Sequence, residues 1–204
     1  AKTISEQRQA FEEWLTQRPN DIVIADQVLH MSFDDFKSGA NKAIEGVSNM
    51  GVQLSGDDAV GTSVGNFSRN QPFSFSLWIS TPEVMERAVV LHRSRAWTDS
   101  ASRGYQLLFE EGKLSFSLIH FWPGNAIRVM TDDVLPVDQW FHLTVTYDGS
   151  SRADGVTIYV NGEQAPSHVV RDNLYKNITG SGGDNIALGQ RFRDKGFAGG
   201  SVDE

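Results

Sequence analysis

The sequence contains no cysteine. That absence removes a disulfide framework, Cys-ligated zinc and thiol catalysis. It leaves the compartment open, since many exported domains also lack cysteine. No apolar run approaches the ~20 residues that a membrane-spanning helix requires. No signal peptide precedes the fold: Ala1-Lys2-Thr3 leads straight into a charged amphipathic stretch. The chain therefore reads as an excised piece of a larger protein, with any targeting signal upstream. Basic charge is scarce. Lys and Arg number 18 against 26 Asp and Glu, for a formal net charge of -8, and they form no run. This disfavours a nucleic-acid partner and adhesion to anionic lipid.

Large aromatics are plentiful, with 12 Phe and 5 Trp in a chain that is 39% hydrophobic. Such side chains fill a sheet-on-sheet interior efficiently. The 204 residues suit one β-sandwich or two small domains. The first element reads as a helix. Thr3-Ile4-Ser5-Glu6 fits a capping box, and Ile4, Phe11, Trp14 and Leu15 share one helical face. Pro19-Asn20 stops it. Residues 1–21 are thus expected to be a short α-helix and linker, and 22–204 a separate sandwich.

After Ile22 the apolar period changes from 3.6 to 2. Phe73, Phe75, Leu77 and Ile79 alternate with Ser74, Ser76, Trp78 and Ser80, as in a half-buried strand. The same pattern recurs at 114–119, 141–147 and 156–160. Shorter strands are expected at 28–33, 51–54, 88–92, 105–109, 127–130, 186–188 and 197–202. Glu110-Glu111-Gly112-Lys113 and Asn161-Gly162 read as tight hairpin turns. Asp148-Gly149-Ser150 and the Gly-rich stretch 180–183 mark loops. Many short strands and one early helix predict an all-β, two-sheet antiparallel sandwich rather than a parallel α/β sheet.

Six motifs in order resemble the laminin-G-like/concanavalin-like superfamily. Asp138-Gln139-Trp140-Phe141-His142-Leu143-Thr144-Val145-Thr146-Tyr147-Asp148-Gly149 is similar to the family's "W-x-H-(aliphatic)-x-V-x-Y-D-G" strand. Val156-Thr157-Ile158-Tyr159-Val160-Asn161-Gly162 resembles the strand that follows it. His30-Met31-Ser32-Phe33-Asp34 resembles the opening "L-x-F-D" strand, and 72–79 the "F-(S/T)-(aliphatic)-x-W-(aliphatic)" strand. Asn185-Ile186-Ala187-Leu188-Gly189 and Gly199-Gly200-Ser201-Val202-Asp203-Glu204 resemble the last two. The resemblance spans about 28–204 and implies a jelly roll. It implies no particular ligand, because the superfamily holds lectins, adhesion domains and hydrolases. The family's last strand usually continues beyond "D-E", so the final strand here reads as truncated. The N-terminal stretch with Arg8, Trp14 and Leu15 is similar to segments of large exported bacterial proteins. An extracytoplasmic location and neighbouring domains in one parent chain follow from these resemblances alone.

Three chemistries compete. A glycoside hydrolase of this kind resembles "E-x-D-x-x-E", with carboxylates gathered on one strand face. No such string occurs, and the adjacent pairs Glu110-Glu111 and Asp203-Glu204 point to opposite faces. A structural Ca²⁺ site is the second. The resemblance implies that Asp34, ending the first strand, meets Asp203 of the last, and hard cations take such oxygens. The bland alternative is a pair of ordinary turn aspartates. The third is a sugar platform. Trp97 and Trp122 lie in polar, breaker-rich stretches, where an indole can stack on a sugar ring. Asp99, Asn125 or Arg95 would bond its hydroxyls. The competing reading, which we favour, has each Trp capping the sandwich. The five histidines lack H-x-x-x-H spacing, and no G-x-S-x-G elbow occurs.

A non-catalytic binding module for glycan or protein surfaces is therefore the expected function. A structural spacer without a specific ligand is the alternative, and a hydrolase ranks last.

Overall fold

The strands arise where the sequence alternates and end where Gly, Asn or Asp permits a tight turn. The computed structural model describes residues 8, 13, 24–37, 39–180, 182–183 and 185–204. Among these, fourteen strands occur: β1 (Lys42–Glu45), β2 (Met50–Gln53), β3 (Val60–Gly61), β4 (Phe73–Ser80), β5 (Arg87–Arg93), β6 (Gly104–Glu110), β7 (Lys113–Phe121), β8 (Asn125–Thr131), β9 (Phe141–Tyr147), β10 (Val156–Val160), β11 (Glu163–Gln164), β12 (Ser167–Asn173), β13 (Ala187–Leu188) and β14 (Ser201–Asp203).

They form two sheets. Sheet A has the order β1-β2-β14-β4-β9-β10-β11, and sheet B the order β12-β8-β7-β6-β5-β13-β3. Every strand pairing is antiparallel. The two expected hairpins form with two-residue turns. Glu111 and Gly112 have φ of 53° and 73°, and Asn161 and Gly162 have 53° and 81°. Positive φ at both central residues matches strand twist, which explains the Gly second in each turn.

The core lies between the sheets. Sheet A contributes Leu77, Ile79, Phe141, Leu143, Val145 and Val202, and sheet B contributes Tyr105, Leu107, Phe109, Phe116, Leu118 and Ile127. At one end Phe73 lies 4.8 Å from Tyr105 and 5.5 Å from Tyr147, ring centroid to centroid. The Tyr147 hydroxyl donates to the Arg69 carbonyl and accepts the Ser151 N–H, so it pins the β9–β10 loop.

Sheets A and B differ on their outer faces. Sheet A shows the alternation of a one-sided sheet: Ser74 and Ser76 are exposed beside the core phase. Sheet B does not. Gln106, Leu108, Ser115, Ser117, Ile119 and Ala126 occupy its outer phase and are nonetheless buried. An outer face buried this way must be covered, and that cover is the candidate site described below.

Some expected elements differ. Residues 28–33 form no strand: Phe33 has φ of 60°, and the Phe36 N–H turns back onto the Phe33 carbonyl. The sheet edge that this segment was expected to fill is held by the β1–β2 hairpin. The closing strand starts at Ser201 rather than 197, because Phe197 is already turned into the core beneath Gly200. Strand β12 carries no period-2 signal, since all seven of its residues are exposed. The expected N-terminal helix lies outside the described residues, apart from Arg8 and Glu13, whose backbone is helical.

Truncating the core should be costly. Phe116→Ala is expected to lower the unfolding free energy by about 3–5 kcal/mol in urea titrations, whereas exposed Ser76→Ala changes it by less than ~0.5 kcal/mol.

Candidate functional site: the outer face of sheet B

Cross-strand register builds the floor. Arg128 faces Ser117, Ser117 faces Gln106, and Gln106 faces His92, so four polar side chains form one row across β8, β7, β6 and β5. At the far end of β5 and β6, Arg87 faces Glu110. Residues of one register row share a sheet face, and here they face away from the core.

Long side chains and two loops roof this floor. Glu110 accepts from Arg87 Nη1 at 3.0 Å and from Arg128 Nη1 at 3.0 Å. Asp194, from the 189–196 loop, accepts a bidentate pair from Arg87, Nε at 2.7 Å and Nη2 at 3.0 Å. The same carboxylate accepts from Nε and Nη2 of Arg191. Arg191 Nη1 then donates to Gln106 Oε1 at 2.6 Å, and Arg128 Nε to Ser117 Oγ at 2.9 Å. The result is a ring of charge-assisted bonds across the sheet. It shields Leu108 and Ser115, which lie between the Arg128 and Glu110 rows.

The two loop tryptophans sit on this ring. The Trp97 ring lies 4.8 Å from the Arg87 guanidinium and 5.1 Å from that of Arg191. The Trp122 ring lies 3.9 Å from that of Arg128. Both contacts are of cation–π type. The Trp97 N–H donates to the Phe192 carbonyl, which ties the β5–β6 loop to the 189–196 loop. Both indoles are half-buried, and the Phe192 side chain beside them is exposed.

The charges do not balance locally. Three guanidiniums face two carboxylates. Burial lowers the pKa of Arg128 and of Arg191. For Asp194, burial alone would raise the pKa. The bonds from Arg87 and Arg191 outweigh it, so the carboxyl lies below its ordinary value. His92 is pushed down to about 4, first by burial and then by the Arg191 charge. It is therefore neutral at pH 7. Its Nε2 donates to the Gln190 carbonyl at 3.0 Å, and its Nδ1 accepts from Ser94 Oγ at 3.2 Å. Several polar atoms on this face have no partner among the described residues: Arg128 Nη2, Gln106 Nε2 and Ser115 Oγ.

Of the residues singled out in the sequence, the structure brings Trp97 and Trp122 onto this one face. Asp99 opens a 3-10 turn, Asp99–Ser102, in the Trp97 loop, and its side chain lies outside the description. Arg95 is exposed in the same loop. Asn125 sits elsewhere than expected. It is buried behind the β7–β8 turn, and its Oδ1 accepts the N–H groups of Tyr175 and Lys176. Asn125 is thus a latch on the chain after β12, not a surface donor. The capping reading of the tryptophans also changes: they cover guanidiniums on the outside of sheet B, not the edge of the core.

Asp34 and Asp203 act on the same hairpin. Asp203 Oδ2 accepts the N–H groups of Val47 and Ser48 at 2.7 and 2.9 Å, and Oδ1 that of Glu204. Asp34 Oδ1 accepts the Met50 N–H at 3.1 Å. Among the described residues, no group of three His, Cys, Asp or Glu side chains converges there. Both carboxylates thus anchor the β1–β2 turn.

The sequence pattern missed Arg87, Glu110, Arg128, Arg191 and Asp194. Three of these had a legible signal: Glu110 and Arg128 lie in the outward phase of apolar strands, and Arg87 begins one. Arg191 and Asp194 come from an irregular loop with no periodicity to read. A separate groove of about 450 Å³, lined by Val129, Ala153, Val156, Pro166 and His168 among others, opens between β10–β11 and β12. It gathers no comparable set of charges.

The sequence model of the Concanavalin A-like lectin/glucanases superfamily matches residues 54–204. No curated protein matches the sequence significantly. Among solved structures, domain 4 of AbnA resembles the chain at a TM-score of 0.51 and 19% identity, over 83% of this chain and 78% of that one. AbnA is an extracellular arabinanase of Geobacillus stearothermophilus, solved in that case with arabinotriose. The Ruminococcus gnavus sialidase module bound to α2,3 sialyllactose gives 0.53 at 13% identity, over 75% and 86%. Mouse laminin α1 domains LG4-5 give 0.55 at 14% identity, over 74% of this chain and 40% of that one. The chain thus spans under half of that laminin fragment. At these identities the likeness is one of fold.

Removing the central carboxylate is expected to be severe. Asp194→Asn leaves the buried Arg191 guanidinium without a carboxylate and takes one of two from Arg87, which keeps Glu110, and should cost about 3–5 kcal/mol in denaturant titrations. The acid limb carries a second signature. The unfolded state takes up a His92 proton near pH 6.5 that the folded state refuses until about 4. Stability therefore falls as the pH drops through that window, by roughly 3 kcal/mol from this group. His92→Gln should flatten that segment of a stability–pH curve. For the β1–β2 anchors, EDTA is expected to leave the wild-type Tm unchanged; a calcium-dependent rise of several degrees, lost in Asp203→Asn, would restore the metal role.

Proposed function

The chain belongs to the concanavalin A-like lectin/glucanase superfamily, and we propose that it serves as a non-catalytic binding module. On this reading it recognises carbohydrate or a protein surface for a larger exported protein. The observation that carries the proposal is the outer face of sheet B. There two half-buried tryptophans and three guanidiniums stand together with hydrogen-bond donors that the fold leaves unused. Each buried polar atom without a partner costs ~1–3 kcal/mol, and three of them gather on this face.

The arabinotriose and sialyllactose complexes of similarly folded modules support a saccharide as the ligand class. Catalysis has less support. A glycosidase needs one carboxylic acid whose pKa is raised so that it can protonate the leaving group. Asp194 is displaced the other way by its two arginines. No helix among the described residues is long and apolar enough to cross a membrane, and export of the parent protein belongs to this proposal.

A glycan array read with and without Ca²⁺ tests the function. Binding by the wild type should fall by about tenfold, ~1.4 kcal/mol, in Trp97→Ala and in Trp122→Ala. Circular dichroism should show both variants folded. Silence of the wild type on every glycan would leave the spacer reading in its place.

A further inference from the structure

The ring on sheet B is complete around its carboxylates but incomplete around its cations. Each oxygen of Glu110 and of Asp194 accepts at least one bond. Arg128 is different. Its Nε reaches Ser117 and its Nη1 reaches Glu110, but its Nη2 has no partner, although the side chain is 9% exposed. Two strands away in the same register row, Gln106 is fully buried. Its Oε1 serves Arg191 and its Nε2 has no partner. Between them lie Ser117, in the row, and Ser115, whose Oγ is also unpartnered.

Two independent features thus coincide. One is a set of unused donors, four N–H bonds on two nitrogens. The other is an excess of one positive charge, three guanidiniums against two carboxylates, in a place sheltered from water. A neutral hydroxyl answers the first feature only. An oxyanion answers both, because it accepts several bonds and cancels the excess charge where the local dielectric is low.

We propose that the outer face of sheet B selects an acidic ligand, an oligosaccharide carrying a carboxylate or a sulfate, whose oxyanion is received by Nη2 of Arg128 and Nε2 of Gln106. This rests on the reading of that face as the binding surface. Trp122, stacked on Arg128 from the β7–β8 turn, is the cover that the ligand's acidic group must pass, and its ring is placed to lie against the sugar. Discrimination resides in the site itself. The whole chain carries -8, so its general field repels polyanions, and acidic ligands gain nothing from long-range attraction.

Gln106→Glu is the informative variant. It is nearly isosteric, keeps an acceptor for Arg191, and supplies from within the negative charge that the ligand would bring. Calorimetric titrations should use a uronic-acid oligosaccharide, a sulfated oligosaccharide, their carboxyl-reduced and desulfated counterparts, and inorganic sulfate and acetate alone. At least one acidic oligosaccharide is expected to bind the wild type ten times or more tighter than its neutral counterpart. Gln106→Glu should erase that preference without lowering Tm. Equal binding of acidic and neutral forms overturns the acidic specificity but leaves the binding module standing. Inorganic sulfate binding as tightly as the acidic sugar keeps the oxyanion site and overturns its assignment to a saccharide. No binding of any saccharide or anion overturns both readings.

Discussion

Asp194 holds the outer half of the molecule together. Its carboxylate joins Arg87, which begins β5, to Arg191, which comes from the same irregular loop. Through Arg191 it reaches Gln106 on β6, and through Arg87 it reaches Glu110 and then Arg128 on β8. Backbone bonds already lay the 189–196 loop along β5, Val89 N–H to the Lys195 carbonyl and Gly189 N–H to the Val90 carbonyl; Asp194 adds the side-chain link that carries the loop across the outer face. Trp97 is tied to the same loop through its backbone at Phe192. A buried ion pair is seldom a net source of stability, because desolvation offsets the attraction. Its value is geometric: it admits one arrangement of loop and sheet, and that arrangement creates the tryptophan-lined surface.

The division of labour between the sheets follows. Sheet A is an ordinary half-buried sheet, with serine and threonine on its outer side. The centre of sheet B, β5 to β8, is buried on both faces, with hydrocarbon inside and a salted polar layer outside. The polar layer is where the fold departs from what stability requires. An apolar outer face under a loop would suffice to protect Leu108 and Ile119. Instead the chain places Gln106, Ser115, Ser117 and Arg128 there and leaves some of their donors unused. Departures of this kind mark functional surfaces more reliably than an exposed aromatic does.

The alternation at 73–79, 114–119, 141–147 and 156–160 was legible because one strand face must be apolar, and all four segments are strands. Strand β12 was not legible, because an edge strand exposed along its length has no inside to encode. Residues 28–33 misled because a locally strand-like composition yields to a positive φ at Phe33 and to the turn that follows. Trp97 and Trp122 were singled out for their polar surroundings, and they do share a surface. Asn125 was singled out for the same reason, yet it serves the backbone of Tyr175 and Lys176. Composition alone does not tell a polar latch from a polar contact.

What the sequence determined by itself is the architecture. Period-2 hydrophobicity, Gly-bearing turns and an ordered set of strand motifs are local properties, and they require two stacked antiparallel sheets. What only the tertiary structure decided is the site. Arg87, Glu110, Arg128, Arg191 and Asp194 are spread over more than a hundred positions, and charge–charge distance is set by strand register and loop course, not by spacing along the chain. Two carboxylates among 26 acidic residues acquire meaning only once folding brings them against three guanidiniums on a largely buried sheet face.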